Sequence, residues 1–240
     1  MARSEDAEQV EAVVRAVRVL EAFGEDASRL SLAELSRRLA LPKTSVLRVA
    51  RTLAAHGYLA PVEGGAWRLG PATSRLSARY RVAFDVHNLI EPAMRALAAA
   101  TRQSVSYFVP DGDARVRLLH VTGRSRSMRP LQVGETKPLD KGSPGQVLLA
   151  FSGAKGRLYE EIRRRGFHVT IGEASPVSAS VAAPVYGPSW RVVGALCIGM
   201  PAGEASEEKL SAFAPRLLRA ADKLSRALVA DAQASRLKRR

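Results

Sequence analysis

The sequence predicts an α+β protein built as an N-terminal winged helix-turn-helix, a linker helix and a larger α+β sheet domain. Three observations predict this class. Two short helices joined by a tight turn, and then a strand hairpin, occupy the first third of the chain. Six apolar strands lie between helices in the rest. The chain has 240 residues, 46% of them hydrophobic, enough for one large domain or two small ones.

The composition excludes several classes of protein. Apolar residues recur along the whole length, which excludes a disordered chain. A single cysteine, Cys197, excludes a disulfide-stapled secreted domain and a cysteine-rich zinc module. No apolar run reaches the ~20 residues of a membrane helix, and no signal peptide is recognisable. We therefore expect a cytoplasmic protein, and its net charge of +14 favours a polyanionic partner.

Two helices are predicted before Pro42. Residues 8–23 form an amphipathic helix that stops at Gly24. Ser31-Leu-Ala-Glu34 is a capping box, in which the serine hydroxyl accepts from the Glu34 backbone and the glutamate reaches back. The second helix ends before Pro42, because the residue preceding a proline resists the α conformation. The apolar stripe of the first helix is Val10, Val13, Val17 and Leu20.

A third helix opens at Pro42 and runs to about His56, and a short hairpin follows it. Proline suits the first helical position, where its missing N–H costs nothing. The strands Tyr58–Val62 and Trp67–Leu69 flank the turn Glu63–Gly65, and a hairpin directly after such a helix is a wing. The apolar side of the helix carries Val46, Val49, Ala50 and Leu53. Its other side carries Thr44, Ser45, Arg48, Arg51 and Thr52, and no acidic residue.

This polar side predicts contact with double-stranded DNA. Arg48 is the candidate for reading a base, because arginine bonds both O6 and N7 of guanine. Lys43, at the helix N-terminus, is expected to meet phosphate. Thr44 and Ser45 suit a base or a phosphate. The remaining candidates are Arg37, Arg38 and Arg51 as positioning charges and Arg68 on the wing. A plain αα-hairpin is the competing structural interpretation.

The rest of the chain predicts an α+β domain. An Ala-rich helical stretch over residues 72–101 breaks near Asp85. Helices are also expected from Gln146 to about Phe151 and from Leu158 to Arg165. The final helix starts at Ser206 and is kinked or turned early at Pro215. Its apolar stripe is Leu210, Phe213, Leu217, Ala221, Leu224 and Leu228. The expected strands are Ser104–Val109, Arg115–Val121, Met128–Val133, Phe167–Gly172, Ser178–Tyr186 and Arg191–Met200.

No catalytic or metal-binding pattern is recognisable. The Gly134–Lys141 segment lacks the Gly-Lys-Ser/Thr order of a P-loop, and no Gly-x-Ser-x-Gly elbow exists. The four histidines are scattered without metal-ligand spacing. Cys197, inside an apolar run, is typical of a small buried residue. We therefore expect no enzymatic activity, no catalytic residue, no metal and no cofactor. An enzyme with an appended DNA-binding module is the alternative from another class.

Several of these segments together resemble the IclR family of bacterial transcriptional regulators. Residues 31–48 carry the Ser-Leu-Ala-Glu-Leu and Leu-Pro-Lys-Thr-Ser-Val runs, and His-Gly-Tyr-Leu and Trp-Arg-Leu-Gly-Pro follow. In the second half, Arg164–Phe167, Ser180–Tyr186 and Val193–Pro201 are similar to the family's effector domain. The resemblance covers about residues 10–230. It implies a winged helix on a GAF-like effector domain, dimers or dimers of dimers on pseudo-palindromic operators, and a small, often carboxylate-bearing effector.

By the same resemblance the effector pocket is built from three segments. They are the loop of residues 139–145, the strand at residues 178–182 and the strand around residues 197–199. Lys141 either pairs with an anionic effector or points to solvent. Among the departures from the family pattern, Cys197 stands where serine is common, and Leu47, in the DNA-contacting set, stands where histidine or an aromatic is common. The implied effector contacts are Leu139, Lys141, Gly142, Ser143, Gly145, Ser178, Ser180, Cys197 and Gly199.

The sequence thus predicts a DNA-binding regulator whose operator affinity is changed by a small effector. The alternative is a ligand-independent DNA-binding regulator with a degenerate pocket. We expect four segments: residues 8–71 as the winged helix-turn-helix, 72–85 as the linker helix, 86–232 as the effector domain and 233–240 as a basic tail. That tail, with Arg236 and Lys238, is either a solvated terminus or a weak nucleic-acid tether.

Overall fold

The computed structural model describes residues 9–24, 27–83, 86–124 and 131–237. Contacts divide the chain into two compact units, with the division between residues 84 and 85. The first unit holds the winged helix-turn-helix, and the second holds a six-stranded sheet with helices. In the described residues, no helix is long and apolar enough to cross a membrane.

The first unit contains the predicted helices and wing. The helix-turn-helix is made by α2 and α3, and the wing by β2 and β3. A two-residue strand, β1, pairs with β3 through Leu30 and Trp67, which gives the order β1-β3-β2. A strand this short carries no periodicity, so the sequence did not predict it. The elements are α1 (Glu11–Glu21), β1 (Leu30–Ser31), α2 (Leu32–Leu39), α3 (Lys43–Ala55), β2 (Leu59–Val62), β3 (Ala66–Leu69) and α4 (Pro71–Ala83).

The buried side of α1 differs from the predicted stripe. Val19 is fully buried, and Ala16, Leu20 and Phe23 pack against the same core. Of the predicted stripe only Leu20 takes part, because Val10, Val13 and Val17 are exposed. The spacing of the predicted set is helical, but tertiary packing turns the adjacent arc of the helix towards α3. An exposed valine row therefore remains on α1.

The capping box at the start of α2 is present in both directions. The Glu34 backbone N–H donates to Ser31 Oγ at 3.2 Å, and the Ser31 backbone N–H donates to Glu34 Oε2 at 2.8 Å. The Ser31 hydroxyl also donates to Glu34 Oε2 at 2.7 Å, and this bond and the one from the Ser31 backbone lower the pKa of the Glu34 carboxyl. The cap holds the start of α2 in place ahead of the tight turn, and so helps to set where α3 begins.

We expect the substitution Ser31→Ala to lower the free energy of unfolding of the protein by about 1 kcal/mol, the usual cost of removing an N-cap hydroxyl. Urea denaturation followed by circular dichroism measures this. Ser74→Ala, an exposed position inside α4, is the matched control and should leave stability within about 0.5 kcal/mol of the wild type. Equal stability of the Ser31→Ala variant and the wild type would show that the capping box contributes nothing.

The turn between α2 and α3 is tightly determined. Ala40 adopts the left-handed conformation, with φ 52° and ψ 41°. The Leu41 N–H donates to the Ser36 carbonyl at 3.1 Å, and Ser36 Oγ donates to the Leu41 carbonyl at 2.6 Å. Pro42 stands one residue before α3 as its N-cap, rather than as its first residue. The turn therefore ends α2 and directs α3 without a glycine.

The second unit is a sheet covered by helices on both faces. Its strand order is β6-β5-β4-β9-β8-β7, and all neighbours are antiparallel. The first part contains α5 (Glu91–Thr101) after a π-turn at Val86–Ile90, β4 (Ser104–Asp111), β5 (Ala114–Val121), β6 (Thr136–Pro138) and α6 (Gly142–Phe151). The second part contains α7 (Arg157–Arg165), β7 (His168–Ile171), β8 (Ser178–Tyr186), β9 (Val192–Pro201), α8 (Glu207–Ser211) and α9 (Ala214–Leu237).

Two apolar clusters lie on opposite faces of this sheet. Met94 and Leu97 of α5, with Leu217 and Leu224 of α9, pack on one face against the main core. The other face carries α6 and α7, whose Val147, Leu148 and Ile162 pack against Phe108, Ala182, Ala195 and Cys197. Large apolar residues thus fill one face completely. On the other, the helices leave part of the sheet free for a cavity.

Most predicted elements of this unit are confirmed. Strand β8 has the predicted bounds, and α7 ends at Gly166 as expected. Ser206 caps α8, accepting from the Lys209 N–H at 3.1 Å, and Pro215 lies in the first turn of α9. Four residues of the predicted stripe of the last helix, Leu210, Leu217, Ala221 and Leu224, are buried.

The predicted strand at Met128–Val133 is wrong over residues 131–133, which are the part of it that the structure describes. Residues 131–133 are loop and turn, and the strand at this edge is β6 at Thr136–Pro138. Gly134, with φ 92°, turns the chain and donates its N–H to the Arg117 carbonyl at 2.8 Å. After this turn the strand begins at Thr136, three residues beyond the end of the predicted one. Residues 128–130, the predicted break at Asp85 and tail residues 238–240 lie outside the described residues.

Candidate functional site

Helix α3 has one buried side and one solvent-exposed side, as predicted. Val46 and Ala50 are fully buried and Leu53 nearly so, in the core of the first unit. Thr44, Arg48, Arg51 and Thr52 are exposed, and Ser45 and Leu47 are half-exposed. The helix carries no acidic residue on its open side. The competing arrangement, with the arginines covered and the aliphatic residues facing water, is therefore excluded.

The cations of this surface are free to meet a polyanion. Lys43, Arg37, Arg48 and Arg51 are exposed, and none forms an ion pair within the residues that the structure describes. Arg38 differs, because its guanidinium donates to the Ala22 carbonyl at 3.0 Å and ties α2 to α1. An acid-free cationic helix face of this kind suits the phosphates and base edges of a major groove.

The wing adds one more cation. Arg68 lies on β3 beside its turn and is exposed, while Trp67 is half-buried against the core. Gly64 and Gly65 form the turn that joins β2 to β3. The structure thus brings eight of the nine candidate DNA-contacting residues, Arg38 with its bond to Ala22 included, to the helix-turn-helix and the ninth, Arg68, to the wing.

The second unit contains a cavity of about 150 Å³ on the α6 side of its sheet. Its wall is formed by five neighbouring strands, β6, β5, β4, β9 and β8, by Pro144 of α6 and by the segment between β7 and β8. A cavity of this size accommodates a ligand no larger than a small ring or a short acid. The strands contribute Arg115, Arg117, Ser106, Phe108, Cys197, Gly199, Ser178 and Ser180.

The cavity brings together part of the predicted effector set. Ser178, Ser180, Cys197 and Gly199 line it directly. Ser143 is fully buried beside them, since its Oγ lies 2.7 Å from Ser180 Oγ and its N–H donates to Thr170 Oγ1 at 2.9 Å. Leu139 belongs to the adjoining apolar cluster, and Gly142 and Gly145 contact Arg115 from the start of α6. Lys141 is exposed and does not line the cavity, which favours the solvent alternative for this residue.

The cavity is lined by two arginines, Arg115 and Arg117, which were not among the predicted effector contacts. Arg115 is 1% exposed and Arg117 4% exposed, and both guanidinium groups lie near the Phe108 ring, at 5.4 and 5.1 Å from its centroid. Burial lowers the pKa of Arg115, with Arg117 adding to the shift. An arginine remains charged even so, because the ordinary pKa of a guanidinium lies far above neutral pH. Both therefore present a positive charge to the interior.

One carboxylate balances part of this charge. Glu135 forms an ion pair with Arg117, and Lys137 Nζ lies 3.3 Å from the other carboxylate oxygen. Burial works to raise the pKa of Glu135, but the two cations prevail and lower it. Arg115 donates instead to the neutral carbonyl oxygen of Pro138.

The remaining polar groups of the cavity are neutral. Ser106 Oγ lies 3.0 Å from Nδ1 of His120, whose pKa is lowered by burial and by Arg117, so that the ring is neutral at pH 7. Burial raises the pKa of the Cys197 thiol, so it is not a nucleophilic thiolate. Among the described residues, no cluster of three histidine, cysteine, aspartate or glutamate side chains is arranged to hold a metal. The cavity therefore offers cations and hydroxyls to a ligand.

A signal for the missed arginines exists in the sequence. Strand β5 reads Ala-Arg-Val-Arg-Leu-Leu-His-Val, with arginines two residues apart and therefore on one face of the strand. This alternation is typical of a strand with one solvated face. Only the tertiary structure, in which the start of α6 lies over Arg115, reveals that this face of β5 is covered.

Family models of known proteins match segments in both units of the chain. Residues 12–63 match the model of the IclR helix-turn-helix domain, and residues 156–226 match that of the bacterial transcriptional regulator IclR C-terminal domain. Together the matches cover just over half of the chain, in the expected order. The chain belongs to the IclR family of transcriptional regulators. It is a DNA-binding regulator of transcription, and the family is one of regulators rather than enzymes.

Relatives of this IclR-family chain match it over almost their full length. The HTH-type transcriptional regulator XynR of Escherichia coli is 24% identical, over 91% of this chain and 97% of the relative. The crystal structure of an IclR-family regulator from Brucella abortus has a TM-score of 0.75 at 26% identity, covering 95% and 96% of the two chains. An IclR homologue from Microbacterium hydrocarbonoxydans, complexed with 4-hydroxybenzoate, has a TM-score of 0.73 at 22% identity, covering 90% of this chain and 99% of that one.

Proposed function

We propose that this IclR-family regulator binds a small carboxylate-bearing effector in the cavity of its second unit, and that the effector changes its affinity for operator DNA. The observation that carries the proposal is Arg115, a buried cation in the cavity wall without a carboxylate partner among the described residues. A buried charge is costly unless it is paired, so an anionic ligand would stabilise the site. The 4-hydroxybenzoate complex of the Microbacterium homologue supports an organic acid of similar size.

The DNA contacts are part of the same proposal. We assign base reading to Arg48, with Thr44, Ser45 and Leu47 beside it, and backbone contacts to Arg37, Lys43, Arg51 and Arg68. A homodimer places two copies of α3 in successive major grooves, about 34 Å apart. The exposed row of Val10, Val13 and Val17 on α1 supports self-association, since apolar surface of this kind favours a protein partner. Helix α4 is the proposed linker, and residues 86–232 the proposed effector domain.

The mechanism is a population shift between two dimer geometries. An effector that prefers one geometry shifts the equilibrium by its differential affinity and no more. Linkage then requires that operator DNA change effector affinity by the same factor by which the effector changes operator affinity. The effector and the operator therefore report on each other even though they bind at different sites.

Footprinting and calorimetry test the proposal. The purified protein is expected to protect a pseudo-palindromic site, with half-sites about one helical turn apart, upstream of its own gene or in DNA selected from random sequence. Calorimetry of a bound acid is then done with and without that DNA. Equal effector affinity in both would contradict the coupling. A saturable footprint that no organic acid alters would favour the ligand-independent alternative.

A further inference from the structure

The cavity wall holds more positive charge than the protein neutralises. Arg115 and Arg117 are almost completely buried on the same face of β5, and Lys137 lines the same cavity from β6. Buried arginines are rare in proteins unless they are paired. Two of them side by side, facing a space that admits a ligand, therefore need an explanation in terms of what fills that space.

The anionic partners are fewer than the cations. Glu135 is the one carboxylate among the described lining residues, and it is shared between Arg117 and Lys137. Arg115 forms no ion pair with a described residue, and its bond to the Pro138 carbonyl is to a neutral acceptor. Glu173 lies near enough to influence Arg115, but it accepts from the Gln146 amide and does not line the cavity.

Two donor atoms of these arginines are also without acceptors. The Nε atoms of Arg115 and Arg117 are buried, and neither has a hydrogen-bond partner in the described structure. A buried donor left without an acceptor is unfavourable, and more so when it belongs to a charged group. Each guanidinium thus has capacity for a further acceptor, and a carboxylate is the group that matches its planar fork.

The start of α6 adds to the positive potential around Arg115. Gly142 and Gly145 bring the first turn of this ten-residue helix against the guanidinium. The first turn carries no acidic residue, and the N-terminal end of a helix favours negative charge. The Arg115 end of the cavity therefore attracts an anion independently of the Arg117 and Lys137 end.

We propose that the ligand of this cavity is a small organic acid with two carboxylates, one held by Arg115 beside α6 and the other by the Arg117 and Lys137 side. The proposal rests on the proposed effector function and names the class of ligand. Three cations against one carboxylate in the lining leave two positive charges, which a diacid neutralises and a monoacid does not. A cavity of about 150 Å³ limits the acid to a short chain or a single ring.

The first test compares diacids with isosteric monoamides on the full-length protein. The probes are succinate, glutarate, adipate and terephthalate, each paired with its own monoamide, in calorimetric titrations at constant ionic strength. We expect saturable binding of at least one diacid, about tenfold or more tighter than its monoamide, because a hydrogen-bonded charge is replaced by a neutral group. Equal affinity within each pair, or no binding by any diacid, would overturn the proposal. So would tighter binding of inorganic phosphate, which places its charges at one centre.

Matched variants locate the binding. Arg115→Met is expected to weaken the diacid at least tenfold and to abolish its advantage over the monoamide. The same substitution at Arg191, exposed in the β8–β9 hairpin of the same unit, should leave both affinities unchanged. If Arg115→Met does not fold, Lys137→Met serves, because its half-buried side chain lies on an edge strand. That variant should lose most of the diacid preference, since one excess charge is gone. Unchanged preference in the folded variants would refute the assignment.

The two proposals fail in distinguishable ways. If a monoacid binds and changes operator affinity while diacids show no advantage, the effector function stands and the diacid inference fails. If diacids bind through Arg115 but operator affinity does not change, the site stands and the coupling to DNA fails.

Discussion

Replacing Arg48 with alanine is expected to weaken operator binding by about 1–3 kcal/mol, which corresponds to about 5- to 150-fold in Kd. The loss should be concentrated at one base pair, because a bidentate arginine contact distinguishes guanine from the other bases. The fold should be unaffected, since the Arg48 side chain is exposed and the hydrogen bond that its backbone carbonyl accepts from Thr52 Oγ1 does not depend on the side chain. Fluorescence anisotropy on the footprinted operator and on single-base variants measures both quantities.

Lys43→Ala is the matched comparison for Arg48→Ala. Lys43 stands at the N-terminus of the same helix, is equally exposed, and is expected to contact phosphate. Its replacement should weaken binding to all sequences alike and reduce the slope of log K against log salt by about one. If Arg48→Ala gave this uniform pattern instead, Arg48 would be a phosphate contact. Wild-type affinity on every sequence would remove it from the interface altogether.

Gly145→Ala is expected to lower the free energy of unfolding by about 1–3 kcal/mol and to disturb the cavity. An added Cβ would lie 2.8 Å from the Leu139 carbonyl carbon and 2.6 Å from Arg115 Nη1, and closer still to the Leu139 carbonyl oxygen. Alanine in a helix is favoured over glycine by about 1 kcal/mol, so propensity alone predicts stabilisation. The steric overlap outweighs this helix propensity, because the Leu139 carbonyl is backbone and the Arg115 guanidinium is buried, so that neither can move away.

Gly203→Ala is the control for Gly145→Ala. A Cβ at Gly203 meets nothing within 4 Å, and its backbone is not in the left-handed region. The free energy of unfolding of the Gly203→Ala variant should therefore stay within about 0.5 kcal/mol of the wild-type value. Chemical denaturation followed by fluorescence, with and without the acid that binds best, measures stability and cavity function together. If the Gly145→Ala variant were as stable as Gly203→Ala and bound the acid unchanged, the start of α6 would be able to shift at little energetic cost, and it would not position Arg115.

The local elements were predictable because their signals lie close together in the chain. The Ser31 to Glu34 capping box and the separation of polar from apolar residues on α3 are confirmed, and Pro42 lies one residue before α3, as its N-cap rather than as its predicted first residue. Each depends on residues within one or two turns of one another. The same reasoning located α7 and β8, where Gly166 and the apolar run mark the boundaries.

Features that depend on distant neighbours were not predictable in this way. The valine row of α1 has helical spacing, yet packing against α3 selects Val19 and leaves Val13 and Val17 exposed. The edge strand β6 is displaced from its expected place because Gly134 turns the chain and bonds to Arg117. In both cases the local pattern allows more than one arrangement, and contacts across the fold choose between them.

The amino-acid sequence by itself determined the winged helix-turn-helix, the composition of the exposed side of α3 and the family, because helix periodicity, caps and turn residues act over short distances. Tertiary structure alone decided which cations lie inside the second unit. Lys141, the cation expected at the pocket, is exposed, whereas Arg115 and Arg117 are buried because β5 is an interior strand whose arginine-bearing face is covered. Burial is a property of what packs above a strand, and a strand's own alternation does not contain it.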